Sequence, residues 1–431
     1  MLETIRSAWR IDELRKKILF TFFIILLYRL GNAIPVPYVN IELLEMYFRE
    51  LETTVLGLLN VMSGGAFASA TIFALSIQPY INASIIIQLL TVAVPYLERL
   101  QKEGGEEGKK KIASITRYTT VGIALLQGYA YYMLISTNNL LYPGTGIWQA
   151  IVIIFTFAAG SALIMWMGEQ ITEFGIGNGI SIVLFVSIVS RFPVDLFTMI
   201  QSVILGLLSW WLLILLLLGA LAIIVLIVIV SNAERKIPVQ YSKRVVGRKM
   251  YGGQSTHLPM KVNMSGVLPV IFAQSIASLP ATFAAFFATP APGTFWHWFL
   301  AMIDPRSILY AMVYMLLIVF FSYFYSTIQF NPVEIANNLK KNGGFIPGFR
   351  PGKPTSEYIR ASLNKITLFG AVYLGVVAVV PILIGVFSPV AAGFGIMLGG
   401  TSIIIVVGVA LETVKALEAQ MIMRNYKGFL E

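Results

Sequence analysis

One apolar stretch, Gly57 to Pro95, is too long for a single simple crossing of a bilayer and is broken near its start by Ser63-Gly64-Gly65. A hydrocarbon core of about 30 Å needs about 20 apolar residues in helix. The part after Thr71 reaches that length by itself. Residues 57–67 are left over, too short to span, and their paired glycines and small side chains suit a half-helix folded back into protein. Irregular backbone survives at membrane depth only where protein or water satisfies its polar groups. The chain is therefore expected to hold a cavity with a short segment lying in it, as a stopper lies in a pore.

The remainder is similar material. Of 431 residues, 57% are hydrophobic and 12% charged, with a mean hydropathy of +0.79, where soluble domains carry about 25% charged residues. The expected fold class is an all-α polytopic membrane protein. Cysteine is absent, which excludes disulfides and thiolate metal sites. The two histidines, His257 and His297, stand far apart, so no metal or catalytic cluster is expected. Gly352-Lys353 resembles the end of a phosphate-binding loop, but Pro347 stands where the first glycine is required and Pro354 replaces the hydroxyl. Neither H-E-x-x-H nor G-x-S-x-G occurs. Gly175-Ile176-Gly177-Asn178-Gly179 follows a span rather than a strand, which makes it a tight inter-span turn. No enzyme and no cofactor is expected. A secondary transporter of small solutes is the alternative, but it would need ionisable groups near the midplane, and the spans hold almost none.

In chain order, residues 1–17 mix Ile5, Trp9 and Leu14 with five basic residues and read as an interfacial amphipathic segment. Apolar runs follow at about 18–34, after Thr71, and at 112–135, 147–167, 179–192, 203–230, 267–288, 308–330, 366–387 and 391–411. That pattern predicts ten spans, five in residues 18–200 and five in 201–411, with a short fifth span. Two large basic loops, 231–265 and 331–365, and a tail, 412–431, complete the organisation. Charge bias orients it. With the amino end inside, only Arg49, Arg191 and Arg306 of the 31 Lys and Arg fall in outer loops, and Arg29 lies within the first span. Basic residues collect on the cytoplasmic side, so both termini are expected there.

The second span of each half shares a short pattern, P-x-I-x-A, at Pro79 to Ala83 and Pro269 to Ala273. Halves of five spans each would run oppositely, as an inverted repeat with interrupted helices at its interface. The functional reading is that these two helices flank a pathway.

Six ordered blocks carry a resemblance along nearly the whole chain. They are YRLGNAIPVP from Tyr28, MSGGAFASATIFALSIQPYINASIIIQLL from Met62, TRYTTVGIALLQG from Thr116, MWMGEQITEFGIGNGISI from Met165, QSTHLPMKVNMSGVLPVIFAQSI from Gln254 and FNPVEIANNLKKNGGFIPGFRPGKPT from Phe330. The chain thus resembles the SecY family, channel subunits of protein-conducting translocons. The resemblance implies ten helices in two halves around an hourglass pore, closed by a plug. It implies a passage for unfolded secretory polypeptides, and a lateral gate that releases membrane helices into lipid.

Matched motif by motif, the resemblance implies a pore ring of Ile77, Ile81, Ile180, Leu184, Ile271 and Ile405. A hydrophobic constriction can stop ions by dewetting. The plug carries over to Leu58, Leu59, Asn60, Val61, Met62, Ser63, Gly64, Gly65, Ala66 and Phe67, with Met62 where many relatives have Phe. The gate would open between span two with span three and span seven with span eight. Asn82, Gln88, Gln274 and Ser275 are its candidate polar residues. Arg244, Arg248, Lys249, Lys340, Lys341 and Arg350 are the candidate docking residues for the SecA motor and the ribosome. Binding of basic loops to ribosomal RNA should weaken steeply with salt. The family also implies SecE and SecG as partner subunits, with signal sequences, nascent polypeptides and membrane lipids as the other partners.

Overall fold

The computed structural model describes residues 2–51, 55–144, 146–206, 209–241, 244–246, 249–251, 255–264, 266–284, 294–295, 298–299, 304, 307–387 and 399–427. It is predominantly helical. From the amino end come α1 (Leu2–Trp9), α2 (Asp12–Gly31), α3 (Ile41–Glu50), α4 (Val55–Met62), α5 (Gln78–Ala93), α6 (Pro95–Lys102) and α7 (Gly105–Thr137). Helices α8 (Ile147–Phe174), α9 (Gly179–Ile204) and α10 (Trp210–Asn232) follow. Then come β1 (Glu234–Tyr241), β2 (Arg244–Val246), β3 (Lys249–Tyr251), β4 (Ser255–Lys261), α11 (Leu268–Ala284), α12 (Ile308–Gln329), α13 (Pro332–Lys341), β5 (Gly344–Phe345), α14 (Lys353–Phe387) and α15 (Gly400–Lys427).

Six of the described helices are long and apolar enough to cross a membrane alone, and the pair α5 and α6, bent by 98° at Val94, makes up to seven. The chain is a multi-pass membrane protein. Helix α2 takes Asp12 and Glu13 in its first turn and Arg29 in its last, charges that oppose the helix dipole at each end. Helix α10 has the most apolar window, at 3.6, and buries only 11% of it inside the protein. A helix apolar all round with so little protein cover belongs in lipid.

The boundaries depart from the sequence reading in several places. Helix α5 starts at Gln78, not soon after Thr71, because the backbone before it is bonded elsewhere. Ile72 N donates to Ile34 O at 3.0 Å and Val36 N to Ala70 O at 2.9 Å. Ala70 and Ser76 also sit at positive φ, which a helix cannot continue through. The fifth span is not short: α9 is 26 residues long and passes Pro193. Gly206, at φ +74°, ends that helix, so residues 203 and 204 belong to α9 and the sixth span begins at Trp210. The charged stretch after span two is helical, in α6 and the first turns of α7. The last helix runs on to Lys427, through most of the expected tail. Residues 388–398, most of the start expected for span ten, lie outside the described residues.

The two basic loops fold together. Strand β1 pairs antiparallel with β4 on one side and with β5 on the other, so loop 231–265 and loop 331–365 share a sheet. Ile237 and Val239 alternate inward along β1 and meet Met260, Leu339, Ile346, Ile359, Leu363 and Ile366 in one buried cluster. A period of two is what one buried face of a strand requires.

Candidate pore, plug seat and gate seam

The glycine run after α8 is a two-way constraint. Gly177 lies at φ +70°, and Asn178 caps α9 by accepting from Ile180 N at 3.1 Å and Ser181 N at 3.4 Å. A Cβ on Gly179 would lie 2.0 Å from the carbonyl oxygen of Gly168, so only glycine lets α8 and α9 meet there. Gly168 in turn faces the ring candidates: a Cβ at that position would stand 3.3 Å from Ile180 Cγ1 and 3.6 Å from Ile77 Cδ1. Ile77 precedes α5, Ile81 lies in it, Ile180 and Leu184 lie on α9, Ile271 on α11 and Ile405 on α15. Five of the six are buried in one apolar cluster, and Ile180 packs against it half-buried. The structure thus brings together side chains from four helices far apart in sequence, all aliphatic and free of polar atoms.

Met62, the last residue of α4, belongs to the same cluster. Its helix ends in a run of local bonds. Ser63 N donates to Leu59 O at 2.9 Å and Gly65 N to Asn60 O at 2.9 Å, with Gly64 at φ +70° and Gly65 at φ +91°. Side chains tie down the turns that follow. Ser63 Oγ accepts from Phe67 N at 3.0 Å, and Asn60 Oδ1 accepts from Ala68 N at 2.9 Å. The segment is seated on its neighbours at two points. A Cβ on Gly64 would come within 2.9 Å of Ser187 O on α9, and Ser187 Oγ is itself bonded to the Tyr28 hydroxyl at 2.6 Å. Phe67 stacks on Tyr131 of α7 with ring centroids 4.4 Å apart, and the Tyr131 hydroxyl donates to Phe67 O. Leu59 and Phe67 pack on that side and Ala66 is buried, while Leu58 and Val61 share the short helix α4, which packs on α9 and α11.

The seam between α5 and the helices α11 and α12 carries polar bonds across it. Gln78 Nε2 donates to Ser275 Oγ at 3.2 Å. The Tyr325 hydroxyl donates to the side-chain carbonyl of Gln88, whose Nε2 donates to Ser84 Oγ at 3.0 Å. Gln274 Nε2 donates to Met62 Sδ at 3.2 Å, so one gate candidate touches the plug segment directly. Asn82 is buried on the same seam, and its Oδ1 has no hydrogen-bond partner among the described residues. Four residues that the sequence reading did not single out as site residues, Tyr28, Gln78, Tyr131 and Tyr325, make bonds at the candidate plug seat and along the seam. A tyrosine inside a span is a usable signal for them, because its hydroxyl must find a partner there.

Of the docking candidates, Lys340, Lys341 and Arg350 are exposed. Lys340 and Lys341 end α13, where their charge favours the helix C-terminus. Arg350 follows a turn with Gly348 at φ +88°, and its carbonyl accepts from Thr355 Oγ1 at 2.8 Å. Phe349 stacks on Tyr358 at 4.2 Å beside it. Arg244 and Lys249 lie in the paired strands β2 and β3, and Arg248 lies outside the described residues. No group of acidic residues or histidines suited to a metal occurs among the described residues.

A multi-pass helical membrane protein with an interrupted second span, an aliphatic centre and a polar seam is the class these features define. Comparison with known proteins gives the family. A family model described as SecY matches residues 71–414. Protein translocase subunit SecY of Streptomyces scabiei is 44% identical over 443 residues, and that of Mycobacterium bovis 43% over 450, each covering 100% of both chains. Among solved structures, a protein-conducting channel is similar with a TM-score of 0.67 at 17% identity, covering 95% of this chain and 93% of that one. Sec61 in the canine ribosome-channel complex is similar with a TM-score of 0.61 at 15% identity, over 95% and 93%. The chain belongs to the SecY family.

Proposed function

We infer that this chain is a protein-conducting channel, passing unfolded secretory polypeptides through its centre and releasing apolar helices sideways into lipid. The observation that carries the reading is that Ile77, Ile81, Leu184, Ile271 and Ile405 share one buried apolar cluster with Met62, Ile180 packed against it. An aliphatic ring holds no water or ion well, yet binds no passing chain tightly. Stiff β-branched isoleucines suit a gasket. The ten apolar stretches are read as ten spans in two inverted halves, residues 18–200 and 201–411. Residues 57–67 act as the plug, and Gly64 and Phe67 are its two points of attachment.

The lateral gate lies along α5 with α7 and α11 with α12. Its cross-seam bonds, Gln78 to Ser275 and Gln88 to Tyr325, are of the kind worth about 0.6 kcal/mol each inside a membrane. Such bonds bias a gate toward closure without locking it. Both termini face the cytoplasm of the inner membrane, and the second basic loop, joined to the first by the shared sheet, offers the exposed Lys340, Lys341 and Arg350 to partners there. SecA or the translating ribosome supplies the energy, SecE clamps the halves and SecG sits alongside. Relatives of known structure bear on the ribosome, since one is described bound to it. The test is transport: the chain with SecE, in vesicles with SecA and ATP, should carry a secretory precursor to a protease-protected interior. A membrane that excludes the precursor but concentrates a small solute down an ion gradient would overturn the reading.

A further inference from the structure

Between the plug segment and the seam lies a small cavity offering about 40 Å³ to the centres of water molecules. Its walls come from the plug (Met62, Ser63), from the backbone leading into α5 (Ser76), from α5 itself (Asn82) and from α7 (Gln127). Two of these residues each carry a buried polar atom with no hydrogen-bond partner among the described residues: Asn82 Oδ1 and Ser76 Oγ. Both residues are 4% exposed. A buried carbonyl or hydroxyl left without a partner costs about 1–3 kcal/mol. A water needs about 10–15 Å³ of such space and two or more polar partners, so the room suffices for ordered water.

We propose that this cavity is a structural water site, in which ordered water bridges Asn82 Oδ1 and Ser76 Oγ. On the reading of residues 57–67 as a plug, the plug then rests on the seam partly through exchangeable water. Water bridges are nearly as favourable as direct bonds and cost up to about 2 kcal/mol of entropy each, and they can be handed to bulk water when the plug leaves. The ligand is water and not an ion, because no charged side chain lines the cavity.

The closed complex with SecE in a lipid disc, imaged at a resolution that shows ordered water elsewhere in the protein, should show density about 2.7–3.2 Å from both atoms. Ordered water elsewhere with none at this pair would overturn the proposal. A second measurement reads the sign of a stability change. Ala74→Val fills part of the cavity from its lining. If water occupies the site, the added methyls expel it, strand both polar atoms and lower the melting temperature. If the cavity is dry, the same methyls fill a void and raise it, which contradicts the proposal. Neither measurement needs a translocating chain, so failure here leaves the channel reading standing, and failure of transport leaves the water site standing.

Discussion

The side-chain amide of Gln274 donates to the sulfur of Met62 at 3.2 Å, joining α11 to the end of α4 across 212 positions of sequence. The bond is weak, and the carbonyl end of the same amide has no hydrogen-bond partner among the described residues. Replacing the whole group therefore changes stability by little, within about 1 kcal/mol, because an apolar side chain also removes the orphaned acceptor. On the proposed reading, what is lost is a tether between gate and plug. Gln274→Leu is expected to keep the melting temperature and raise the ion conductance of the closed channel in planar bilayers. Unchanged conductance would remove the tether from the account.

Gly64 is bound to its conformation twice over, by φ +70° and by Ser187 O standing where a Cβ would go. A left-handed alanine costs about 1–2 kcal/mol before the clash is counted. Gly64→Ala should therefore unseat the segment from α9, seen as increased ion leak with the helices intact by circular dichroism. A sealed variant would mean that the α9 contact does not hold the plug.

Tyr131 holds the other side. Tyr131→Phe keeps the stacking on Phe67 and loses the hydroxyl bond to its carbonyl, for about 1 kcal/mol. Tyr131→Ala also opens the cluster around Phe157 and Ile153 and should cost about 3–5 kcal/mol. Leak in the order alanine, phenylalanine, wild type is expected, measured as proton permeability of vesicles.

The Tyr325 hydroxyl reaches across the seam to Gln88 of α5, and its ring packs on Phe272, 5.1 Å away. Tyr325→Phe removes one cross-seam bond, about 0.6 kcal/mol, and leaves the ring in place. Weakly hydrophobic signal sequences should then be accepted two- to threefold better, since about 1.4 kcal/mol is tenfold in an equilibrium. The check is the transported fraction of a graded series of signals.

How much of this was readable in the residues depends on what each feature needs. The apolar stretches, the tight turn at Gly175 to Gly179 and the break at Ser63 to Gly65 depend on local composition, and the structure has a turn or helix at each. The echo of Pro79 and Pro269 falls near the first turn of α5 and α11 alike, with Ile81 and Ile271 buried in the same cluster. The start of α5 was not readable, because Ala70 and Ile72 bond to residues 34 and 36, and a Cβ at Gly160 would lie 1.8 Å from Ile72 O. Those partners are brought by the fold. The union of the two basic loops had one visible sign, the alternation of Ile237 and Val239. Its partner, Phe345 of β5, lies more than one hundred residues on and offers only two residues of strand.

The central claim is that a polypeptide passes through the aliphatic ring. Ile405 is 1% exposed within that cluster, while Leu218 on α10 is 59% exposed on the lipid face. A photo-crosslinking residue at each position, in complexes with SecE and SecA and a secretory precursor stalled partway, compares the two directly. The account predicts ATP-dependent adducts to the precursor at Ile405 and none at Leu218. Precursor that translocates while leaving Ile405 unlabelled would contradict it.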